Sequence, residues 1–588
     1  MGDVAPPPDR RSALQTASAA IVEELERRVH LSGTLHCYMS AQATGSQLND
    51  YAVTVFTTGL PAARYTINWN DPNPGGTKSM TYTAPPNGAP FTKSYQYKGT
   101  YTGTITAVAT ASNHATATAY FALDSSFGNV QGVQGTGASV YNPYGNIGNV
   151  GQTSMVVDNL NNPGDPMAGA IFVAGAYTQA TGGTLFGITA FNSQGQFISS
   201  WGSLNGVANN GTYVVPGFGG GSDEPSSIAI GIGPLGETQL IVAGRCATGW
   251  AICAINTSLN SNITSTAYGN PIWNTPSYFQ AGQANAVEVD STDGAHLVAV
   301  GTDGTHIVVA ALYMAESFAE FTDWTNPIIT VPFTSNEIQA GANAVIELDD
   351  AGIGAEEVLV GGYTDWNCGV CGGCGGGCGI NATGSDYTLV AISDFHGGVD
   401  NVTRTNIGQT CSACALCSPS MDSVYSLVGW KKPGGGLYVD AVGQSNAFAR
   451  NITLAQYGLS NTGVPVGLYT PFGQYGDGIA AGPVGNAYSA ALVNPTTGAF
   501  VVTGDNGGDI ITCQFTSLGA LDPTFGNAGV MYQDLGSSSS NTPDYGFGVL
   551  YDSVDQTILI VGDTLPTGTN RYQIALVEYQ GSNNVQIS

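Results

Sequence analysis

Short runs of alternating apolar and polar residues, separated by turns rich in Gly, Pro and Asn, fill the first part of the chain. Between residues 33 and 122 such runs occur at 51–56, 64–69, 79–84 and 102–110. Alternation with a period of two places successive side chains on opposite faces of a strand, and short strands at this spacing are typical of an antiparallel sandwich. This region therefore predicts a β-sandwich.

From residue 124 onwards, one strand pattern recurs seven times. Each copy is an apolar strand that ends in glycine and is followed, after a loop, by a second apolar strand. The terminal glycines are Gly175, Gly244, Gly301, Gly362, Gly443, Gly504 and Gly562, at intervals of 57 to 81 residues. Before five of these strands, another apolar strand runs into an Asp or Asn turn, at Asp158, Asp290, Asp349, Asn494 and Asp552. Each unit therefore predicts about four short strands.

A four-stranded unit cannot bury both of its faces alone, whereas seven units arranged radially can, and they expose only short edges. The repeat therefore predicts a seven-bladed β-propeller. We expect the recurrent glycine where the backbone turns at a strand end or two blades approach closely. We expect the Asp or Asn to cap a hairpin turn. Because joining the start of the array to its end would remove a sheet edge, we expect the strand near Val130–Val133 and the segment Asn584–Ile587 to close the ring together.

The segment Tyr65–Asp71 (YTINWND), taken with residues 94–109, resembles PKD-like domains. In that family a Trp-containing strand with an Asp/Gly turn precedes a strand of the pattern aromatic–x–x–Gly–x–Tyr–x–Val/Ile. The resemblance covers about 90 residues. It implies an immunoglobulin-like spacer or adhesion module over residues 33–122.

The segment Leu521–Val530 (LDPTFGNAGV), followed by the strand Ile558–Gly562, resembles the delta-60 repeat, and Leu123–Gly128 repeats its LDxxFG turn. We expect the other units to keep the strands without this turn, and the family's strand Arg is absent from all seven. The resemblance implies a propeller fold and assigns no catalytic residue. The expected fold class is therefore all-β: a seven-bladed β-propeller at 123–588, preceded by an Ig/PKD-like β-sandwich and a short N-terminal helix.

The first 32 residues predict a flexible tail and a short helix. Leu14, Ala17, Ile21 and Leu25 form one apolar stripe at helical spacing. A helix of this length is marginal on its own. Two roles therefore stay open for residues 1–32, namely packing on the next domain and oligomerisation or anchoring.

Composition and charge restrict the partners. The chain has 14 Lys and Arg against 42 Asp and Glu, a net charge of −28. Nucleic acids and anionic membranes both require a basic surface, so neither is expected as a partner. No apolar run is long enough to predict a membrane span, and the acidic residues near position 24 are not typical of a classical signal peptide. A surface built from Gly, Ser, Thr and Asn is typical of extracellular and particle-surface β proteins.

Four of the eleven cysteines lie outside the Cys-rich loops. Cys246 and Cys253 flank one hairpin, and they are either a cross-strand disulfide or two core thiols. Cys37 and Cys513 are isolated, and we expect them to be buried.

The other seven cysteines lie in two Gly- or Ser-containing loops, Cys368, Cys371, Cys374 and Cys378 in one and Cys411, Cys414 and Cys417 in the other. The first loop has the spacing of a bacterial iron–sulfur motif, but Gly379 stands where that motif has Pro. Three interpretations stay open: disulfides that join the loops on one propeller face, a zinc or iron–sulfur site, and reduced thiols.

Recognisable catalytic motifs such as GxSxG, HExxH and the Walker loop are absent from the sequence. Six scattered histidines show no metal-ligand spacing, and no cofactor is expected. The acidic turns DSTDG (290–294) and DNGGD (505–509) leave Ca²⁺ open, although both are shorter than an EF-hand loop. Glycosylation sequons occur at Asn210, Asn256, Asn262, Asn381, Asn401 and Asn451.

These features favour a structural or adhesive surface protein, such as a virion-surface, fibre or cell-surface component. It would present a propeller head on a sandwich spacer and would self-associate or attach to a capsid or surface scaffold through its N-terminal region. Glycans or a host cell surface are the expected contacts of the head. The alternative is a glycan-binding or glycan-active propeller, and a metal or redox protein would rest on the Cys loops alone. Converging carboxylates in the central channel would favour an enzyme, and aromatic platforms would favour a lectin.

Overall fold

A computed structural model describes the protein within residues 35–580. The described ranges are 35–43, 50–59, 62–69, 79–85, 91–96, 105–111, 116–121, 129–130, 133–134, 138–141 and 153–580, the last without residues 161–164, 180–181, 205–206, 209–210, 216, 219–221, 234–235, 248, 258–281, 291–295, 314–327, 334–336, 349–356, 368–382, 394–397, 406, 408–421, 434, 446–450, 474–476, 527, 534, 536–543, 553–556 and 566–571. Every regular element in these ranges is a β-strand. The expected helix within residues 1–32 lies outside them.

The N-terminal region contains two antiparallel sheets. Its strands are β1 (Leu35–Ala43), β2 (Asp50–Gly59), β3 (Ala62–Asn68), β4 (Ser79–Thr83), β5 (Phe91–Gln96), β6 (Ile105–Ala111) and β7 (Thr116–Phe121). One sheet has the order β1-β2-β5 and the other β4-β3-β6-β7. Tyr65, Ile67 and Trp69 are buried between them, and the Trp69 ring stacks on Tyr95 at 5.0 Å. The four alternating segments read from the sequence are confirmed as strands.

Three short strands follow, β8 (Asn129–Val130), β9 (Val133–Gln134) and β10 (Ala138–Tyr141). The described residues beyond them form seven antiparallel sheets, here named A to G in chain order. Sheet A contains β11 (Ser154–Val157), β12 (Ile171–Thr178), β13 (Thr184–Phe191) and β16 (Thr212–Val214), beside the small ribbon of β14 (Ser203–Leu204) and β15 (Val207–Ala208). Sheet B contains β17 (Glu224–Ile232), β18 (Thr238–Cys246) and β19 (Gly249–Asn256). Sheet C contains β20 (Gln283–Val289), β21 (His296–Thr302), β22 (Ile307–Tyr313) and β23 (Ile328–Thr330).

The remaining four sheets repeat this order. Sheet D contains β24 (Glu337–Glu347), β25 (Glu357–Asn367), β26 (Thr383–Ser393) and β27 (Gly398–Thr405). Sheet E contains β28 (Ser423–Lys431), β29 (Leu437–Ser445), β30 (Asn451–Leu459), β31 (Pro465–Leu468) and β32 (Ile479–Val484). Sheet F contains β33 (Asn486–Asn494), β34 (Ala499–Asp505), β35 (Ile510–Phe515) and β36 (Val530–Gln533). Sheet G contains β37 (Tyr545–Asp552), β38 (Thr557–Thr564) and β39 (Gln573–Gln580).

The first strands of the seven sheets form a closed ring. β11, β17, β20, β24, β28, β33 and β37 each contact the next, and β37 contacts β11. We call these the inner strands. The ring is completed by β10, which pairs with β39 so that Ala138 lies opposite Val577. The expected pairing of an early strand with the last sheet is therefore present, but β10 makes it. Val130 and Val133 pair with each other instead, and 584–587 lie outside the described residues.

The core lies between successive sheets. Leu240 and Val242 of sheet B pack with residues of sheet A, whereas Ile241 and Ala243, on the other face of the same strand, pack with residues of sheet C. Both faces of the second strand are therefore buried, which explains why the repeated strands are continuously apolar rather than alternating.

The recurrent glycine has a cause that differs in part from the one expected. In six sheets it lies within the second strand, opposite a β-bulge in the inner strand. A Cβ atom on Gly244, Gly443 or Gly562 would lie 2.1, 1.9 or 1.7 Å from a carbonyl oxygen of that inner strand. The closest approach is therefore within one sheet, and a strand end does not account for the glycine. A neighbouring sheet also comes close, because the added Cβ would lie 2.9 Å from Phe186 of sheet A at Gly244 and 2.9 Å from Tyr387 of sheet D at Gly443.

The LDxxFG turn is also more widespread than the sequence indicated. In sheet F the Phe525 amide donates to the Asp522 carbonyl, and Phe525 is buried. The same hydrogen bond joins Trp201 to Ile198 in sheet A and Phe472 to Tyr469 in sheet E, and in each case a glycine with positive φ follows the aromatic residue. Thus FISSWG (197–202) and LYTPFG (468–473) adopt this turn, and the prediction that the other units lack it was wrong.

Candidate binding site in the central cavity

A β-bulge near the start of the inner strand shapes the centre of the molecule in six sheets. The bulged residues are Ser226, Asn285, Asn343, Tyr425, Tyr488 and Phe547. A bulge inserts one unpaired residue and redirects its side chain. All six residues line a cavity of about 460 Å³ that is enclosed by all seven inner strands. Thr153 takes the corresponding place beside β11.

Aromatic side chains occupy one side of this cavity. The rings of Tyr425 and Tyr488 lie 5.9 Å apart, and those of Tyr488 and Phe547 lie 5.1 Å apart. The series continues beyond the cavity, from Phe547 to Tyr545 at 5.4 Å and from Tyr545 to Tyr572 at 6.2 Å. All five side chains are partly exposed. We call this series the aromatic arc.

Polar neighbours fix the two tyrosines that line the cavity. The Tyr488 hydroxyl bonds to Asp505, whose carboxylate also accepts hydrogen bonds from Asn486 Nδ2 at 3.0 Å and from the Gly507 amide at 2.8 Å. Gln444 Nε2 donates to the Tyr425 hydroxyl at 3.1 Å. Burial raises the pKa of both tyrosines, and the nearby Asp505 raises that of Tyr488 further. Both hydroxyls therefore stay protonated and can take part in hydrogen bonds at neutral pH.

Amide side chains occupy the opposite side. Gln283 Nε2 donates to Asn285 Oδ1 at 2.5 Å, and Asn285 Nδ2 donates to the Ala342 carbonyl at 2.7 Å. Asn343 Nδ2 in turn donates to Ser423 Oγ and to the Val424 carbonyl, both at 3.0 Å. These bonds run from sheet C through sheet D to sheet E. The amides therefore hold adjacent sheets together and also place polar atoms at the cavity wall.

Serine residues directly after the bulge form hydrogen bonds that link sheet B to C, sheet E to F and sheet F to G. Ser227 Oγ accepts a hydrogen bond from the Val287 amide at 3.2 Å, Ser426 Oγ from Ala490 at 3.1 Å and Ser489 Oγ from Val549 at 3.2 Å. Each bond crosses from one inner strand to the next. Sheets C and D have Ala286 and Ala344 at this position, and there the asparagines supply the links.

The charge of the cavity follows from these residues. Among the described residues that line it, Glu288 is the single ionisable carboxylate, and Lys, Arg and His are absent. Arg245, near the end of β18, is paired at 2.5 Å with Glu224, the first residue of the inner strand β17. The site therefore offers aromatic rings, amides and hydroxyls to a ligand without net charge.

Cys246 and Cys253, two of the four cysteines outside the Cys-rich loops, lie in a hairpin whose register excludes the disulfide. Cys246 lies opposite Gly249 and Cys253 opposite Val242, four positions apart along β18, about 13 Å at strand spacing and too far for a disulfide. Both are free thiols. The core-thiol alternative describes Cys253, which is buried, as is Cys513. Cys37 lies in β1, and nothing is described of its side chain.

The seven loop cysteines, Cys368, Cys371, Cys374, Cys378, Cys411, Cys414 and Cys417, lie outside the described residues. The strands that bound them are described. The first cluster connects β25 to β26, and the second connects β27 to β28. These connections leave from the end of sheets D and E at which β28 begins, the end that carries Tyr425. The strands that bound the two clusters therefore meet them at the same end of the ring.

Among the described residues, the histidines His296 and His306 and the acidic-turn residues Asp290 and Asp505 do not line the cavity. His306 forms a turn with Asp303, and its Nδ1 lies 3.1 Å from Asp303 Oδ2. The described residues hold no group of three His, Cys, Asp or Glu side chains placed to bind a metal ion. In the turn 505–509, the side chains of Asp505 and Asn506 accept hydrogen bonds from backbone amides of the same turn.

The sequons differ in their surroundings. Asn451 Nδ2 donates to the Gly482 carbonyl at 2.9 Å, and Asn401 Oδ1 accepts from Thr403 Oγ1 at 3.1 Å. Asn256 lies in β19, and Asn210, Asn262 and Asn381 lie outside the described residues.

The predicted turn caps differ in their surroundings. Asn494 Oδ1 accepts hydrogen bonds from the amides of Thr496 and Thr497 at 2.9 and 3.0 Å, as expected of a cap. Asp158 is buried, and burial together with the nearby Asp165 raises its pKa to about 6, while a hydrogen bond from the Leu160 backbone acts in the opposite direction.

Sequence reasoning missed a second set of aspartates that organises this end of the ring. Asp223, Asp422 and Asp544 each lie three residues before a bulge and are buried. Their carboxylates accept hydrogen bonds from the backbone amides of Phe218, Ile407 and Leu535 at 3.0, 3.1 and 2.8 Å. Each of these amides lies in the connection that leads out of the preceding sheet. The signal was present in the sequence as an Asp directly before the inner strand in three of the units.

No protein-family model matches the chain, and no curated protein matches it. Solved structures resemble it at low identity. The BP39L lectin from Burkholderia pseudomallei is 12% identical over 74% of this chain and 98% of its own, with a TM-score of 0.37. A protein of unknown function from Dyadobacter fermentans is 7% identical over 73% and 94%, with a TM-score of 0.36. The polysaccharide lyase Uly1 is 10% identical over 71% and 88%, with a TM-score of 0.34.

The function must therefore be argued from the residues of this chain. Within its described part, no helix has the length and hydrophobicity needed to cross a membrane.

Proposed function

We propose that this protein is an adhesive surface protein whose head binds neutral carbohydrate at the central cavity. In this proposal, residues 123–588 form a seven-bladed β-propeller with sheets A to G as its blades. Residues 33–122 form an immunoglobulin-like spacer, and residues 1–32 provide self-association or attachment to a capsid or surface scaffold. The aromatic arc is the observation that carries the proposal.

The chemistry of a sugar fits this cavity. A sugar ring has an apolar C–H face and a rim of hydroxyl groups. Tyr425, Tyr488 and Phe547 offer apolar ring surface, and the tyrosine hydroxyls can take part in hydrogen bonds. Concave sites with aromatic walls and a few placed polar groups are typical of small-molecule binding. The tyrosines are already oriented by Asp505 and Gln444, so little side-chain entropy is lost on binding.

Charge favours a neutral sugar over an anionic one. The chain carries a net charge of −28, and the described cavity wall contains no cation. A sulfated, sialylated or phosphorylated ligand would therefore meet repulsion without a compensating ion pair. The aromatic and amide lining also matches the pattern expected of a lectin more closely than that of an enzyme with paired carboxylates.

Binding to an array of neutral and acidic glycans tests the proposal. We expect the intact protein to bind neutral glycans, and we expect the double variant Tyr425→Ala, Tyr488→Ala to bind them at least about tenfold more weakly, as for loss of a central aromatic contact. Tyr469→Ala, which removes a partly exposed tyrosine at the opposite end of sheet E, is the matched control. Exclusive binding of acidic glycans, or no glycan binding, would contradict the proposal.

The role of the N-terminal region is tested separately. Removal of residues 1–32 should leave the strand signal of the protein intact and lower its oligomer mass in light scattering. An unchanged mass would contradict self-association through this region.

A further inference from the structure

The aromatic arc extends beyond the cavity, and this bears on the size of the ligand. Tyr425, Tyr488 and Phe547 line the cavity, whereas Tyr545 and Tyr572 do not. Tyr545 precedes the bulge of β37, and Tyr572 precedes β39, on the far side of β38. The arc therefore runs from the ring centre outwards across one end of sheet G.

The five rings are continuous. Each lies 5.1 to 6.2 Å from the next, and each is partly exposed. A pyranose ring is similar in size to one aromatic side chain, so a monosaccharide could contact only part of the arc. Four of the five rings are tyrosines, which combine apolar surface with a hydroxyl group.

The two outer tyrosines hydrogen-bond to each other, whereas the two inner ones hydrogen-bond to Asp505 and Gln444. The hydroxyl groups of Tyr545 and Tyr572 interact, and burial followed by the nearby Tyr572 raises the pKa of Tyr545. Tyr545 therefore presents a neutral hydroxyl next to ring surface, beside the hydroxyl of Tyr572. The outer part of the arc has the same chemistry as the part inside the cavity.

We infer that the arc is a row of subsites for a linear, neutral oligosaccharide, with one end of the glycan in the cavity and the rest lying across sheet G. This inference rests on the proposed function. It assigns Tyr488 and Phe547 to the subsite inside the cavity, and Tyr545 and Tyr572 to subsites that only a longer glycan reaches.

The experiment measures affinity for homologous neutral oligosaccharides, from disaccharide to hexasaccharide, in the cello-, xylo-, manno- and chito- series, by calorimetry on the full chain. We expect the affinity of the wild-type protein to rise with length in the series that it binds. Tyr572→Ala should lower the affinity for the hexasaccharide by at least about threefold and leave the affinity for the disaccharide unchanged. Tyr488→Ala should weaken the binding of every member.

Two controls keep the outcomes separate. Tyr572→Phe retains the ring and should keep most of the length dependence, and Tyr469→Ala should bind as wild type does. Equal thermal unfolding midpoints establish that the variants are folded. Length-independent binding that Tyr488→Ala still weakens would overturn this inference and leave the proposed function standing. No binding in any series, with none on the glycan array, would overturn both.

Discussion

At the scale of single residues, the recurrent glycine is a steric requirement. A Cβ atom at Gly443 would lie 1.9 Å from the Ser423 carbonyl oxygen, whereas at Gly458, in the neighbouring strand of the same sheet, its nearest contact would be Val466 at 3.6 Å. The first separation is far below van der Waals contact, and the second is ordinary packing. The conformational freedom of glycine is not the issue at either position.

This difference gives a paired prediction. Gly443→Ala should lower the free energy of unfolding by about 1–3 kcal/mol, because the ladder must open to admit the methyl group. Gly458→Ala should be neutral or slightly stabilising, because it restricts the unfolded chain without a clash. Chemical denaturation of both variants checks this, and equal stabilities would refute the steric explanation.

At the scale of elements, hydrogen bonds between inner strands align the seven sheets. Ser489 Oγ accepts the Val549 amide of the next inner strand, and Ser426 Oγ accepts the Ala490 amide in the same way. Removing such an acceptor leaves a partly buried backbone amide without this bond. Losing the serine acceptor therefore lowers the free energy of unfolding by more than the net contribution of one hydrogen bond at an exposed site.

We therefore expect Ser489→Ala to lower the free energy of unfolding by about 1–3 kcal/mol. Thr496→Ala, in an exposed turn of the same sheet, is the control and should change it by less than about 0.5 kcal/mol. The measurement is denaturant unfolding followed by tryptophan fluorescence. If both variants unfold alike, the serine links do not contribute to stability.

At the scale of the whole molecule, the pairing of β10 with β39 completes the last sheet, and we expect stability to depend on it. In an antiparallel edge strand, one of any two adjacent amides faces the partner strand. The double variant Ser139→Pro, Val140→Pro removes both amides and should lower the thermal unfolding midpoint by several degrees. Ser139→Ala, Val140→Ala keeps the amides and should have the smaller effect. Equal midpoints would show that closure by β10 does not limit stability.

Buried acids give the whole molecule a characteristic pH dependence. Burial raises the pKa of Asp440 to about 7, although Trp430 and Gln456 donate hydrogen bonds to it, and raises that of Asp158 to about 6. Between the ordinary value of 3.8 and these values, the folded chain holds protons that the unfolded chain releases. Stability therefore falls as pH rises through this window, by up to about 1.4 kcal/mol per pH unit for each group.

The test is thermal unfolding between about pH 5 and pH 8. The wild-type midpoint should fall as pH rises, and Asp440→Asn should reduce this slope because its side chain does not titrate. An unchanged slope in Asp440→Asn would mean that Asp440 does not keep its proton in the folded state.

The sequence predicted the strands well because their patterns are local. The runs that end in Gly244 and Gly562 are apolar over their full length, and both became second strands buried on both faces. It predicted closure by the chain ends but misplaced the strand, because β10 has only four residues and little periodicity.

The candidate site was not predictable in the same way. A bulge interrupts the alternation of the inner strand, so no periodic pattern marks Tyr425, Tyr488 or Phe547 as facing the centre. Their proximity depends on the arrangement of three separate sheets, which no local pattern encodes. The turns at Trp201 and Phe472 were missed because Ile198 and Tyr469 stand where the motif has Asp, while the aromatic–Gly pair is present in both.

The bulges also separate recognition from architecture. A bulged residue has no partner in the hydrogen-bond ladder, so its identity is not constrained by strand pairing, and Ser, Asn, Tyr and Phe all occur at this place. The glycine opposite and the serine or asparagine links carry the structural requirements instead. Because Asn285 and Asn343 are themselves such links, a new specificity can arise by exchanging the side chains at the other four bulges without altering the scaffold. Those four positions are the natural ones to randomise in a library selected for new ligands.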